Sequence, residues 1–345
     1  MIRMPVAQLD GNITSIQDYE YLFRSAPRGD GGGPILGPHF TAFVMNDWIP
    51  QHAGQGNPSL IYKNGIFIQR ENRLLLIRPD ISSDPSANLA TVQGAGLTTG
   101  QWWWGHGGCV LPNGEDIFMI GDKWSPSEGF GTNHGPHSVI IRNAAVGEPS
   151  VEAVTTSNLP VDADYTWDGA MFFDIPSGYM YHYGHHVATP WAQIVARKPW
   201  DETHTNWEWR TSGGAWSTDP GATLGGITFS ANTPIRGISG AYYDPVTGIY
   251  HYSSKVLDSA PGLGFAGTEE IHTWTGTAPY GTFTYDAVAI TKTYRIPTTD
   301  PYAARVLRLP NIGWVAYWST NTDIPIGDPD FHLQYYGLHF SEVET

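Results

Sequence analysis

Cysteine is nearly absent from this chain of 345 residues, with Cys109 standing alone. No internal disulfide can form, and a four-cysteine zinc site is excluded. Basic residues are scarce as well: 18 Lys and Arg against 33 Asp and Glu give a formal charge of −15. No basic run gathers them, so neither nucleic acid nor an anionic membrane surface is an expected partner. Long apolar runs are also missing. Leu74-Leu75-Leu76-Ile77 is bracketed by Arg73 and Arg78, far short of the roughly 18 apolar residues of a membrane span. Met1-Ile2-Arg3-Met4-Pro5 is not followed by the apolar stretch of a secretion signal. The chain is therefore expected to remain in the cell that makes it or to leave by another route. Helical periodicity is almost absent too. Neither a phosphate-cradling GxxxxGK[ST] nor a GxSxG nucleophile elbow occurs, which leaves NTPase and serine-hydrolase readings without support.

What is present is turn chemistry and core material. Gly (40) and Pro (26) punctuate a chain that is 41% hydrophobic and 13% aromatic, with 14 Trp. Both residues break helix interiors, and short β-branched and aromatic runs between them predict an all-β protein. Four segments repeat one layout of strand, glycine turn and aromatic-rich strand: 104–124, 167–187, 236–256 and 302–322. Their turn glycines, Gly114, Gly178, Gly248 and Gly313, lie 64, 70 and 65 residues apart. A weaker copy at 30–48 carries Gly37, which precedes Gly114 by 77. Five units in 345 residues suit four-stranded blades with long connections. The reading is a five-bladed β-propeller formed by 1–345 as one domain. Blades start near 30, 104, 167, 236 and 302, after an N-terminal extension over 1–25. A β-sandwich or β-helix with look-alike hairpins is the competing fold.

In such a propeller the hairpin turns share one face and the open hairpin ends share the other. The open ends hold the polar residues, while Pro-Asn-Gly, Pro-Ser-Gly and Val-Thr-Gly at the turns are turn chemistry alone. Glycosidic cleavage needs two carboxyl groups across the scissile bond, and the candidates are Asp30, Asp47, Asp122 and Asp168. Asp30, Asp47 and Asp168 are the expected catalytic set, although a lone Asp at a strand end is often just a cap. Asp168 opens an apolar innermost strand beside Trp167, where an acid is costly to bury without a partner. The Arg28-Gly29-Asp30 tripeptide also invites an adhesion reading, but three residues match too easily by chance. Aromatic faces and polar neighbours hold sugars. The expected substrate-binding residues are accordingly Trp104, His106, Asp122, His134, Trp167, His185, Ser239 and Lys255, with His134 and His137 in a loop at the same mouth. His182, His185 and His186 resemble a metal cluster, yet alternation along a strand separates them and no HExxH occurs. No metal and no cofactor is expected.

Ala192-Gln193-Ile194-Val195-Ala196-Arg197-Lys198-Pro199, followed by Trp207-Glu208-Trp209-Arg210 and Gly213-Gly214-Ala215-Trp216, resembles a blade of the five-bladed propeller glycoside hydrolases. Within them it is similar to the endo-D-arabinanase family of actinobacteria, gut bacteria and actinobacterial phages. Ile238-Ser239-Gly240-Ala241-Tyr242-Tyr243-Asp244 through Tyr250-His251-Tyr252 is similar to the next blade. Glu270-Ile271-His272-Thr273-Trp274-Thr275 with Tyr280-Gly281-Thr282-Phe283 is similar to the strands after it. In blade one, Asn46 and Trp48 flank Asp47 where the family has Gly and Thr. The resemblance implies hydrolysis of D-arabinofuranosyl linkages in cell-wall arabinan. It also implies a minor tail protein of a phage virion, made in the host cytoplasm beside other tail proteins and potentially homotrimeric. A binding or structural tail module with the same propeller but no catalysis is the alternative.

Overall fold

The computed structural model describes residues 5–8, 28–30, 33–37, 39–49, 60–70, 73–77, 89–91, 102–125, 132–152, 155–160, 165–186, 193–200, 207–231, 234, 239–256, 270–290, 299–309, 312–322 and 337–343. Among them are strands but no helix, as the Gly and Pro load requires.

The strands form five sheets. The first holds β1 (Pro5–Gln8), β2 (Arg28–Asp30), β3 (Gly33–Leu36), β4 (Thr41–Ile49), β5 (Leu60–Arg70), β6 (Arg73–Ile77) and β7 (Leu89–Thr91). Pro5–Gln8 lies in the stretch expected as an extension, yet it pairs with β6 as an outer strand of this blade. The second sheet holds β8 (Trp102–Val110), β9 (Ile117–Ser125), β10 (Thr132–Arg142), β11 (Ser150–Val151) and β12 (Thr155–Thr156). The third holds β13 (Tyr165–Thr166), β14 (Met171–Asp174), β15 (Tyr179–His186), β16 (Gln193–Pro199), β17 (Glu208–Arg210) and β18 (Trp216–Ser217). The fourth holds β19 (Ile227–Phe229), β20 (Gly240–Asp244), β21 (Ile249–Ser254), β22 (Ile271–Gly276) and β23 (Gly281–Ile290). The fifth holds β24 (Thr299–Leu309), β25 (Gly313–Thr322) and β26 (Gly337–Glu342).

The innermost strands close a circle. β3 packs beside β8, β8 beside β14, β14 beside β20, β20 beside β24, and β24 returns to β3. This is a five-bladed β-propeller. Strand alternation explains the packing, because successive side chains face opposite neighbours. In β9, Ile117 and Met119 join Ile35, Ile66 and Ile68 of blade one, whereas Phe118 and Ile120 join Met171, Met180 and Ile194 of blade three. A strand buried on both sides reads as the continuous apolar run Ile117-Phe118-Met119-Ile120. Between blades three and four the filling is aromatic: Tyr181 and Tyr183 meet Tyr250, Tyr252, Trp274 and Phe283. Phe43 of blade one and Tyr317 of blade five stand 6.1 Å apart across the closing seam.

Four turns mark one face. Gly114, Gly178, Gly248 and Gly313 have φ of 72°, 71°, 72° and 108°, the left-handed region in which a Cβ is strained. Gly37 takes no positive φ; a Cβ there would run into the Phe40 ring. Blade one therefore repeats the hairpin with a different turn.

Candidate active site

The end of the ring opposite these turns is built by breaks in the innermost strands. In blade two, Gly105 pairs with Gly121 and Gly107 with Ile120, so His106 is an extra, bulged residue. In blade three, Thr166 pairs with His185 and Met171 with His182, leaving Trp167–Ala170 outside the regular ladder. In blade five the register shifts between Tyr302 and Arg305. Bulges re-aim side chains and recur beside active sites; here they turn His106 and Asp168 out of the inter-blade core. Glycine lets the strands come this close. A Cβ on Gly107 would stand 3.0 Å from the Gly169 carbonyl oxygen, and one on Gly240 would stand 2.8 Å from Arg305 Cβ.

Four of the expected residues meet at this mouth. His106 Nε2 lies 3.2 Å from Asp122 Oδ2, at ion-pair distance but bent from hydrogen-bond geometry. Asn133 Nδ2 donates to the same carboxylate oxygen at 2.8 Å. His185 Nδ1 lies 3.0 Å from Asp168 Oδ1. Asp168 also reaches His106 through its field, so two Asp–His pairs from adjacent blades share one electrostatic environment. Burial works against charge on His106, but the Asp122 and Asp168 carboxylates outweigh it and hold the imidazolium pKa above its ordinary value. Burial likewise penalises the Asp122 carboxylate, yet His106, Asn133 and His182 bring its pKa below the usual range.

Ser239 enters the same network from blade four. It is fully buried and hydrogen-bonds the Tyr252 hydroxyl, which also feels the charges of Asp168 and Arg305. Tyr252 Oη donates to Gln193 Oε1 at 2.8 Å. Lys255 is buried directly after β21, and Trp104 is half-buried opposite Asp122 in the ladder. Asp30 and Asp47 are register partners of β2 and β4; their side chains lie outside the described set.

Two expectations need correction. Trp167 belongs to the wall beneath the site and offers no open face to a sugar. It is 4% exposed, stacks on His182 at 5.8 Å and donates its indole N–H to the Pro160 carbonyl at 3.1 Å. An indole with a polar partner within reach gains more from burial than from exposure. His134 and His137 lie in β10 instead of a loop, because β9 and β10 continue pairing past a bulge at Gly135. His134 is exposed and its Nε2 sits 2.6 Å from Ser125 Oγ.

Asn133, His182, Gln193, Tyr252 and Arg305 were not among the expected site residues. Arg305, the one charge in the stretch Tyr302–Leu307 of an innermost strand, carried a readable signal; Asn133 and His182 find their partners within their own blades, whereas Tyr252 meets Gln193 across blades. His182 is structural. Its two ring nitrogens lie 3.1 Å from the Trp167 carbonyl and 3.4 Å from the Ala170 carbonyl, and burial together with His106 pushes its pKa down to about 3. It stays neutral near neutral pH and serves as a wedge. Cys109 is no nucleophile, because burial drives its thiol pKa far up. Among the described residues no three His, Cys, Asp or Glu side chains gather around a metal-sized site.

No family model matches this chain, and no curated protein matches it. Solved structures do. A protein from Bacteroides ovatus, provisionally assigned as a hydrolase, is 15% identical over 94% of this chain and 88% of its own, with a TM-score of 0.61. A GH43_1 enzyme from Xanthomonas citri is 12% identical over 96% of this chain and 93% of its own, with a TM-score of 0.49. A xylan β-1,4-xylosidase from Bacillus halodurans is 11% identical over 94% of this chain and 52% of its own, with a TM-score of 0.47. The likeness to the Bacteroides ovatus protein is one of fold.

Proposed function

We propose that the protein is a glycoside hydrolase whose catalytic centre is the mouth containing Asp168. One observation carries this reading. Asp168 is bonded to His185 and faces the buried His106–Asp122 pair, so a carboxyl group and a proton-holding imidazole converge at the open end of the propeller. Cleavage of a glycosidic bond requires a positioned proton donor and a second group acting as nucleophile or base. Asp168 supplies the first in this proposal. Blade one supplies the second, from Asp30 or Asp47, whose strand positions face each other. Asp122 keeps its charge and pairs with His106, which suits it to positioning and substrate binding over proton donation. The hydrolase assignment of the Bacteroides ovatus protein supports the same reading.

The proposed substrate is the D-arabinan of mycobacterial-type arabinogalactan, and the proposed setting is a phage tail, with other tail proteins as partners. The resemblance of 192–216, 238–252 and 270–283 to endo-D-arabinanase blades supports both. A second reading has Ser239 in its favour. Directly before the innermost strand of blade four the chain brings a buried hydroxyl instead of an acid to the network, which suits a carbohydrate-binding module without catalysis. Incubation with purified arabinogalactan, followed by chromatography of released fragments, separates the two. A ladder of arabinan oligomers supports hydrolysis; retained binding with no release supports the module.

A further inference from the structure

Two arginines lie on the flank of blade three, toward the turn face and away from the mouth. Arg197 Cζ stands 4.4 Å from the Tyr179 ring centre and 4.0 Å from that of Trp216. Arg210 Cζ stands 4.5 Å from Tyr280 and 5.6 Å from Trp216. The Trp216 and Tyr280 rings meet edge-on at 5.4 Å, which joins blade three to the β22–β23 turn of blade four. A guanidinium stacked on rings keeps its in-plane N–H fork available for an anion.

The two forks differ. Arg197 uses its own on Glu208, with Nε and Nη2 each 3.1 Å from Oε2. Among the described residues no carboxylate reaches Arg210. The approach to it is also open. The turn from Ser212 to Ala215 is exposed, and a Cβ on Gly214 would stand 3.5 Å from Arg210 Nη2, with no other heavy atom of the described residues beyond its chain neighbours within 4 Å. In a chain with a net charge of −15, a stacked and half-buried cation with no acid partner among the described residues is a preorganised anion site. Glu208 on Arg197 shows the group its neighbour is shaped to take.

We propose that Arg210 anchors a second saccharide site, distinct from the mouth, that binds a carboxylate-bearing sugar. The fork takes the uronate carboxylate, and the half-exposed rims of Trp216 and Tyr280 border the sugar ring, where apolar C–H groups pack on aromatic carbon. A site of this kind holds an acidic chain on the flank while the mouth remains free.

Calorimetric titration of the full chain with trigalacturonate, neutral galactotriose and triglutamate tests the proposal. Trigalacturonate is expected to bind and galactotriose to bind at least tenfold more weakly. Arg210→Gln is expected to weaken trigalacturonate about tenfold or more, as loss of a charge-assisted bidentate pair does. Arg210→Lys, which keeps the charge without the fork, is expected to lie between them. Loss of trigalacturonate binding in Arg210→Gln, on the blade-three flank beside Tyr280 and Trp216, is what separates this site from the mouth. Absence of trigalacturonate binding to wild type, a need that depends on no variant folding, overturns the proposal. Wild-type affinity in Arg210→Gln overturns it as well. Equal binding of triglutamate overturns the saccharide assignment and points to a protein carboxylate.

Discussion

Replacing Asp122 with Asn removes one charge from the most enclosed ion pair at the mouth while preserving side-chain size. The His106 and Asp122 side chains are 9% and 15% exposed, so solvent screens their attraction little. Asn can still take one contact from Asn133 or His106, so the loss is that of a charge-assisted contact, about 1.5–3 kcal/mol. This is below the roughly 3–5 kcal/mol for stranding a buried charge. With an unfolding entropy of about 2.1 cal/mol/K per residue, a chain of 345 residues loses about 2–4 °C in Tm. The pH dependence is more diagnostic. His106 has a raised folded pKa, so its contribution is full below the ordinary 6.5 and is lost as pH rises through the higher folded value. Asp122 has a lowered folded pKa, so its contribution is present above 3.8 and is lost as pH falls through the lower folded value. The gap between wild type and Asp122→Asn is therefore widest between 3.8 and 6.5 and narrows in alkali. Thermal melts from pH 4 to 9 measure it. An equal gap at pH 5 and pH 9, or no gap at pH 5, refutes the pairing.

Other perturbations follow from the same geometry. Gly121→Ala places a Cβ 2.6 Å from the Trp103 ring and 2.7 Å from Gly105 Cα; overpacking of this kind costs about 1–3 kcal/mol, read as a lower urea midpoint. Tyr250→Phe removes the 2.7 Å bond that Tyr250 donates to buried Asp174. Loss of a hydrogen bond to a charged group costs about 1.5–3 kcal/mol, measured by urea unfolding at pH 7. His182 has a folded pKa lowered to about 3, so it draws stability down as pH falls from 6.5 toward that value. His182→Gln is therefore expected to show a flatter Tm profile between pH 6.5 and 4 than wild type.

The hairpins were legible in the sequence because their cause is local. Gly114, Gly178, Gly248 and Gly313 sit where the backbone needs positive φ, and apolar runs such as Ile117–Ile120 follow from burial on both faces of a blade. The site was only partly legible. His106, Asp122, Asp168 and His185 stood out as polar residues at the open ends of apolar strands. The coupling between the His106–Asp122 and Asp168–His185 pairs could not be read, since His106 meets the field of Asp168 from a neighbouring blade, and Tyr252 meets Gln193 likewise. Trp167 was misjudged for a related reason. An aromatic beside an acid looks the same in sequence whether its face is open or, as here, stacked on His182. His134 and His137 follow the second strand of blade two and so read as loop residues, whereas the chain continues as a strand past a bulge at His134 and Gly135, with Pro136 paired to Asp122.

The central claim is that Asp168 performs acid–base chemistry on a polysaccharide at this mouth. Wild type and Asp168→Asn, matched for concentration and Tm, are to be compared for release of arabinan oligomers from arabinogalactan at pH 6–7. Loss of a general acid–base group lowers the rate about 10²–10⁴-fold, with polysaccharide binding retained, and that is the expected result. Release by Asp168→Asn within a few-fold of wild type contradicts it.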